Sequence, residues 1–142
     1  MRYPSIIVLF TSYRCNACCI MCTAWQKQQT ARDLTPQDIK HIFSDKILSR
    51  SVRIINITGG EPTLRSDLVE IVRILSNSCI HITRIDISTN GINTTEVIDK
   101  VGQVLACLLE TDIKLSVSVS VDGVDKVHDK VRGVEGAFEK ID

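Results

Sequence analysis

The chain reads as an α/β protein, a partial (β/α) barrel of parallel strands. Three observations predict this. Apolar runs of strand length alternate with segments of helical periodicity. Each run ends in a loop or turn signal: a cysteine-rich loop, Gly59-Gly60, Asn90-Gly91 and Asp122-Gly123. The last run alternates, with Leu115, Val117, Val119 and Val121 apolar and Ser116, Ser118, Ser120 and Asp122 polar. Strand followed by helix, repeated, implies parallel strands with right-handed crossovers. An apolar face suits cover by helices, and a small polar face suits a wet concave side, as in a barrel or part of one. An open doubly wound sheet whose edge happens to be polar is the alternative.

The elements follow in order. Residues 5–11 form a continuous apolar run, read as a buried strand. Thr35 and Pro36 mark a helix start, as cap and first helical residue, with Ile39, Ile42, Phe43 and Ile47 on one apolar face. Residues 52–58 form the second strand, and Leu64, Leu68, Ile71, Val72 and Leu75 mark the second helix. Residues 80–89 form the third strand, where Arg84, Asp86 and Ser88 share a face. Asn93 and Glu96 have the spacing of a capping box, opening a third helix on Val97, Ile98, Val101, Val104, Leu105 and Leu108. Residues 113–121 form the fourth strand, and residues 136–142 read as the opening of a fourth helix.

Composition narrows the function classes. The 142 residues suffice for one domain with a real core. Lys plus Arg equals Asp plus Glu at 17 each, so there is no electrostatic case for nucleic acid or an anionic membrane. No apolar run approaches the length of a membrane span. The six cysteines imply a reducing, cytoplasmic setting if they are free. Cys79 and Cys107 lie in apolar contexts and read as packing residues.

Four of the cysteines fall within Cys15-Asn16-Ala17-Cys18-Cys19-Ile20-Met21-Cys22. A disulfide framework would suit a secreted domain, but the run at 6–10 is short and Met1-Arg2-Tyr3-Pro4 is a poor leader. A zinc site would use the pairs Cys15/Cys18 and Cys19/Cys22, yet zinc pairs are normally well separated so that two turns meet across one ion, and here they abut. An iron–sulfur loop is the favoured reading, with zinc its main rival. Three thiolates on a four-iron cluster leave one iron open, whereas four would leave an electron carrier. Position along the fold adds weight. In parallel α/β folds the site forms at the C-terminal strand ends. Cys15, Cys19 and Cys22 follow strand one, Gly59-Gly60-Glu61-Pro62 strand two, Thr89-Asn90-Gly91 strand three, and Ser120, Asp122 and Gly123 strand four.

The spacing Cys15-x3-Cys19-x2-Cys22 resembles the cluster loop of radical S-adenosylmethionine (SAM) enzymes, and Gly59-Gly60-Glu61-Pro62 resembles their GGEP motif at the matching strand. Trp25, Thr89-Asn90-Gly91, Ser120-Val121-Asp122-Gly123 and the segment His128 to Gly133 are also similar to this superfamily, above all to the branch with molybdenum-cofactor, pyrroloquinoline-quinone and peptide-maturation enzymes.

The resemblance implies that Cys15, Cys19 and Cys22 hold a [4Fe–4S] cluster whose fourth iron is chelated by SAM. It implies reductive cleavage of SAM to a 5′-deoxyadenosyl radical, which abstracts hydrogen from an unknown substrate, a peptide or a small molecule. An external one-electron donor of flavodoxin or ferredoxin type is the implied partner. Gly59 and Gly60 would offer backbone carbonyls to the SAM ammonium, so a bulky residue at Gly60 is expected to abolish SAM binding and leave the iron in place. Glu61 would add negative charge or brace the loop. Ser120 would meet SAM's polar groups. Met21, where the family usually presents an aromatic residue, would pack on the adenine. Cys18 is not expected to bind iron. His128 and Arg132 could reach bound SAM or substrate, but a solvated loop is the expected setting. The family barrel has about six strand–helix units, so residues 1–142 are expected to be a radical SAM core domain, truncated at the C-terminus, whose open fourth strand invites self-association. An iron–sulfur electron-transfer or redox-sensing protein, and a zinc-stabilised module, are the rival functions.

Overall fold

The computed structural model describes residues 3–142; Met1 and Arg2, which open the segment read for a leader, lie outside them. Four strands, β1 (Ile6–Phe10), β2 (Ile54–Thr58), β3 (Arg84–Thr89) and β4 (Lys114–Val119), form one parallel sheet in the order β1-β2-β3-β4. Sequential order without a reversal is the winding of a barrel wall; a doubly wound sheet would switch direction partway. Helices α1 (Pro36–Ile42), α2 (Lys46–Ser51), α3 (Leu68–Ser78), α4 (Thr94–Leu108) and α5 (Lys126–Arg132) lie in the connections and after β4.

The main core lies between the sheet and its helices, and a smaller cluster of Ala17, Cys19, Ile92 and Ala137 lies at the cysteine loop. Leu9, Ile55, Ile57, Ile85 and Ile87 from the strands meet Ile39 and Phe43, then Leu68, Ile71, Val72 and Leu75 of α3, and Val104 and Leu108 of α4. Full burial of such side chains stabilises by about 1.5–3 kcal/mol each. The opposite, concave face is polar on β2 to β4, where Ser88 Oγ donates to Asn56 Oδ1 at 3.2 Å. Asp86 and Ser116 pair across the same face.

Several local expectations change. The first helix is two helices. Asp45 interrupts it by accepting from the Ile47 and Leu48 amides as a new N-cap, so Ile42 and Ile47 are exposed while Ile39 and Phe43 are buried. Thr35 does form the cap, in a reciprocal box with Asp38. Leu64 belongs to a single 3-10 turn (Pro62–Leu64), ahead of α3. Asn93 makes no capping bond to the backbone; its side-chain amide donates to Glu96 Oε2 instead. The helix after β4 is α5, and residues 136–141 are turns. Cys79 is buried, and burial pushes its thiol up to about 11; Cys107 is only half-buried.

Among the described residues, both edges of the sheet are open. The apolar run of β1 predicts burial on both faces, but Ile6, Val8 and Phe10 are exposed because no described element covers the concave side. On β4, Val117 and Val119 are exposed and line a groove with Val97, Ile98 and Val101 of α4 and with Ile141. The apolar face of β4 therefore points to the helix side as expected, but it is covered only at Leu115, which packs against the core, and is open at Val117 and Val119.

Candidate functional site

The parallel register brings the strand ends into line. Phe10 pairs with Thr58, and Thr89 pairs with Val119. A cavity of about 160 Å³ sits over these ends. Its walls include Cys15, Cys19, Met21, Cys22, Gly59 and Gly60. Thr89, Asn90, Ser120 and Arg132 also contribute, with Trp25 beside the cysteines. A larger open groove of about 990 Å³ runs along α5 and the turns after it, but holds none of these residues.

The cysteine loop is gripped from two sides. At its entrance, Gly60 N–H donates to Ser12 O at 2.7 Å and Glu61 N–H to Arg14 O at 2.8 Å. Glycine is required there by space. A Cβ at Gly60 would lie 2.2 Å from Arg14 O, and one at Gly59, where φ is +147°, 2.5 Å from Ser12 O. The close approach that the glycines permit is therefore to the backbone of residues 12–14. A bulky residue at Gly60 would displace the loop that carries Cys15, so the expected loss of SAM binding with the iron intact does not follow. On the other side, Cys18 N–H donates to Arg132 O at 2.9 Å and Ile20 N–H to Val131 O at 3.0 Å. The Trp25 indole N–H donates to Cys19 O at 3.3 Å.

Below the entrance lies a charged network. Buried Arg65 donates to Thr11 O at 2.6 Å and to Leu34 O at 2.8 Å and pairs with Asp67 at 2.8 Å. Asp33 accepts from Ser12 Oγ at 2.9 Å, from Tyr13 N–H at 3.1 Å and from Arg14 Nε at 3.2 Å. Partial burial pushes the Asp33 carboxyl up, but these bonds and the charges of Arg14 and Arg65 outweigh it and hold it below the usual range.

The four clustered thiols divide three to one. Cys15, Cys19 and Cys22 line the cavity, while Cys18 is exposed outside it. Each of the three receives an N–H. Ala17 N–H donates to Cys15 Sγ at 3.4 Å, Ala24 N–H to Cys22 Sγ at 3.4 Å, and Arg132 Nη1 to Cys19 Sγ at 3.7 Å. Asn90 Nδ2 adds a longer contact to Cys15 Sγ at 3.8 Å. Burial pushes the Cys15 thiol up, Glu61 and Cys19 push the same way, and the donors from Ala17 and Asn90 pull against them. A thiolate there would want a compensating cation, such as a bound metal. Among the described residues, no group of three His, Cys, Asp or Glu side chains is arranged to hold a metal ion. Three thiols that line one cavity are the kind of donor set a sulfur-ligated iron–sulfur centre would use.

Glu61 is a brace. It is 1% exposed. Its Oε1 accepts from Thr63 N–H at 3.2 Å, Thr63 Oγ1 at 2.7 Å and Thr89 Oγ1 at 2.8 Å, and its Oε2 accepts from Asn90 N–H at 2.7 Å. The carboxylate ties the end of β2 to the end of β3 and leaves no oxygen without a donor. Asn90, in turn, accepts from Ile92 N–H at 2.9 Å and donates to Asn16 Oδ1 at 2.8 Å inside the cysteine loop. Ser120 is half-buried just past β4, and its N–H donates to Thr89 O at 3.0 Å. Met21 stands at the rim, 60% exposed.

The solvated loop expected at His128 and Arg132 is instead helix α5, and both residues are buried. Arg132 pairs with Asp122 at 2.6 Å, and His128 Nδ1 accepts from Asp122 N–H at 3.2 Å. The sequence signal was available in the run His128 to Gly133, but burial of these polar residues depends on the docking of α5 against the cysteine loop.

A parallel β/α wall that presents three cysteines in one cavity at its C-terminal edge defines an α/β domain with a sulfur-lined site at its strand ends. The sequence profile of the radical SAM superfamily matches residues 9–142, and the chain belongs to that superfamily. Its members are enzymes that use a [4Fe–4S] cluster and SAM. The chain is 35% identical over 137 residues to the mycofactocin maturase MftC of Mycolicibacterium smegmatis, covering 96% of this chain and 32% of that protein. It is 33% identical to the AdoMet-dependent heme synthase of Methanosarcina barkeri, covering 96% of this chain and 37% of that protein. The fold is similar to that of Streptococcus suis SuiB bound to the precursor peptide SuiA, with a TM-score of 0.69 at 20% identity over 98% of this chain and 29% of that one. The chain thus spans about a third of the length of the relatives it matches.

Proposed function

We propose that residues 1–142 are a core domain that binds a [4Fe–4S] cluster and SAM for radical chemistry. Cys15, Cys19 and Cys22 would hold the cluster, and Cys18 would stay free. Gly59 and Gly60 would offer backbone carbonyls to the SAM ammonium, Ser120 a hydroxyl to its polar groups, and Met21 a thioether to the adenine. Glu61 would act only through the loops it joins, since its oxygens are already engaged. When bound, the cluster supplies the electron that cleaves SAM to methionine and a 5′-deoxyadenosyl radical.

One observation carries this reading: the three thiols at family spacing share one cavity, each with an N–H on its sulfur, while Cys18 lies outside it. The electron would come from an external flavodoxin- or ferredoxin-type donor. The substrate is a peptide or a small molecule. Relatives named as a maturase and as a heme synthase share this region, which argues that it carries the common step rather than substrate choice. Among the described residues no helix is long and apolar enough to cross a membrane. The unpaired cysteines fit a reducing cytoplasm.

Anaerobic reconstitution with iron and sulfide, then reduction with dithionite and electron paramagnetic resonance with and without SAM, tests the proposal. The expected result is a cluster whose spectrum changes on SAM addition, lost in Cys15→Ala, Cys19→Ala and Cys22→Ala and kept in Cys18→Ala. A spectrum indifferent to SAM would favour an electron carrier, and colourless protein with bound zinc a structural module; either would overturn it.

A further inference from the structure

Arg132 is the one cationic side chain recorded within hydrogen-bond reach of the cavity thiols among the described residues. The other recorded donors to those sulfurs are neutral amides, from Ala17, Ala24 and Asn90. The Arg132 guanidinium is held on both sides: Nη1 lies 3.7 Å from Cys19 Sγ, and Nη2 lies 2.6 Å from Asp122 Oδ2. Its Nε is buried without a hydrogen-bond partner among the described residues, so the group is committed to these two contacts. The setting is rigid. Asp122 is anchored by its own N–H on His128 Nδ1 at 3.2 Å, and His128 is fully buried against Phe138. The backbone of α5 accepts from Cys18 and Ile20, and a Cβ at Gly133 would stand 2.7 Å from Cys18 O. Loop and helix therefore hold their spacing together.

We propose that Arg132 is a positioning residue that raises the reduction potential of the centre held by Cys15, Cys19 and Cys22, with Asp122 opposing it. This rests on the cluster reading given above. One electron from a reductant adds one negative charge to a sulfur-ligated iron centre. A positive N–H donor on a ligand sulfur stabilises that added charge and favours the reduced form. The Asp122 carboxylate offsets part of the guanidinium charge, so the pair fixes an intermediate value. Removal of either partner shifts the potential in opposite directions, which a structural prop would not do.

The test is a mediated dithionite titration of the anaerobically reconstituted chain, followed by electron paramagnetic resonance, with iron counted in each sample. Arg132→Gln is expected to keep its iron and to shift the one-electron reduction equilibrium about tenfold toward the oxidised form, about 59 mV lower. Asp122→Asn is expected to move the midpoint upward, and Arg132→Lys to fall between Arg132→Gln and the parent. An unchanged midpoint in iron-replete Arg132→Gln overturns the proposal, as do shifts of the same sign in Arg132→Gln and Asp122→Asn. If Arg132→Gln fails to hold iron, Asp122→Asn decides alone: a midpoint that is not raised overturns the proposal. A parent chain that assembles no cluster defeats the cluster reading itself, an outcome visible before any midpoint is compared.

Discussion

A side chain at Gly60 would begin 2.2 Å from the carbonyl oxygen of Arg14, the residue that leads into the first cavity cysteine. The obstacle is backbone, which cannot swing aside as a long side chain can. Gly60→Val is therefore expected to lower stability by about 1–3 kcal/mol and to reduce iron uptake together with SAM binding. Iron content after anaerobic reconstitution, read beside a denaturant titration, checks this. Full iron with selective loss of SAM binding would restore the simpler view that Gly60 serves the ligand alone.

Glu61 accepts four hydrogen bonds while buried between β2 and β3. Glu61→Gln turns one oxygen into a donor that faces another donor. The expected cost is about 1–3 kcal/mol, seen as a lower denaturation midpoint of the metal-free chain. A Glu61→Gln variant that keeps its stability and loses SAM affinity would identify the carboxylate as a ligand contact instead.

Acid should loosen the entrance to the cysteine loop. The Asp33 carboxyl sits below its ordinary value because the bonds from Tyr13 and Ser12 and the charges of Arg14 and Arg65 outweigh its partial burial. A carboxylate with a lowered folded-state value contributes stability above the ordinary range near pH 4, and that contribution is lost as pH falls through the folded value. Asp129, lowered by the Phe138 and Gly136 amides, acts in the same direction. Stability is expected to fall below about pH 4, with a shallower dependence in Asp33→Asn. Equal slopes in the parent and the variant would remove Asp33 from this account.

The β4 edge predicts association. Val117 and Val119 are exposed beside unpaired strand backbone, and Ile6, Val8 and Phe10 are exposed on β1. Sedimentation of this chain should reveal dimers or larger species, and Val119→Lys should reduce them, since an edge lysine discourages pairing. A concentration-independent monomer would show that these surfaces do not pair.

The sequence by itself determined what depends on short range. Alternation of period fixed four parallel strands and their helices; thiol spacing and Gly59-Gly60-Glu61-Pro62 fixed the family and the end of the sheet where the site forms. Even within that range, Asp45 split the first helix through a local cap that the apolar spacing of Ile39, Ile42, Phe43 and Ile47 concealed. Only the tertiary structure decided the partners of Glu61, Asn90, Arg132 and His128. Glu61 meets Asn90 across 29 positions and Arg132 meets Cys19 across 113. A polar residue reads as solvated until a distant partner satisfies it, and such partners are brought together only by the packing of the strand ends. For the same reason, the continuous apolar run of β1 predicted burial on two faces, whereas burial requires an element on each side, and the sheet is covered on one.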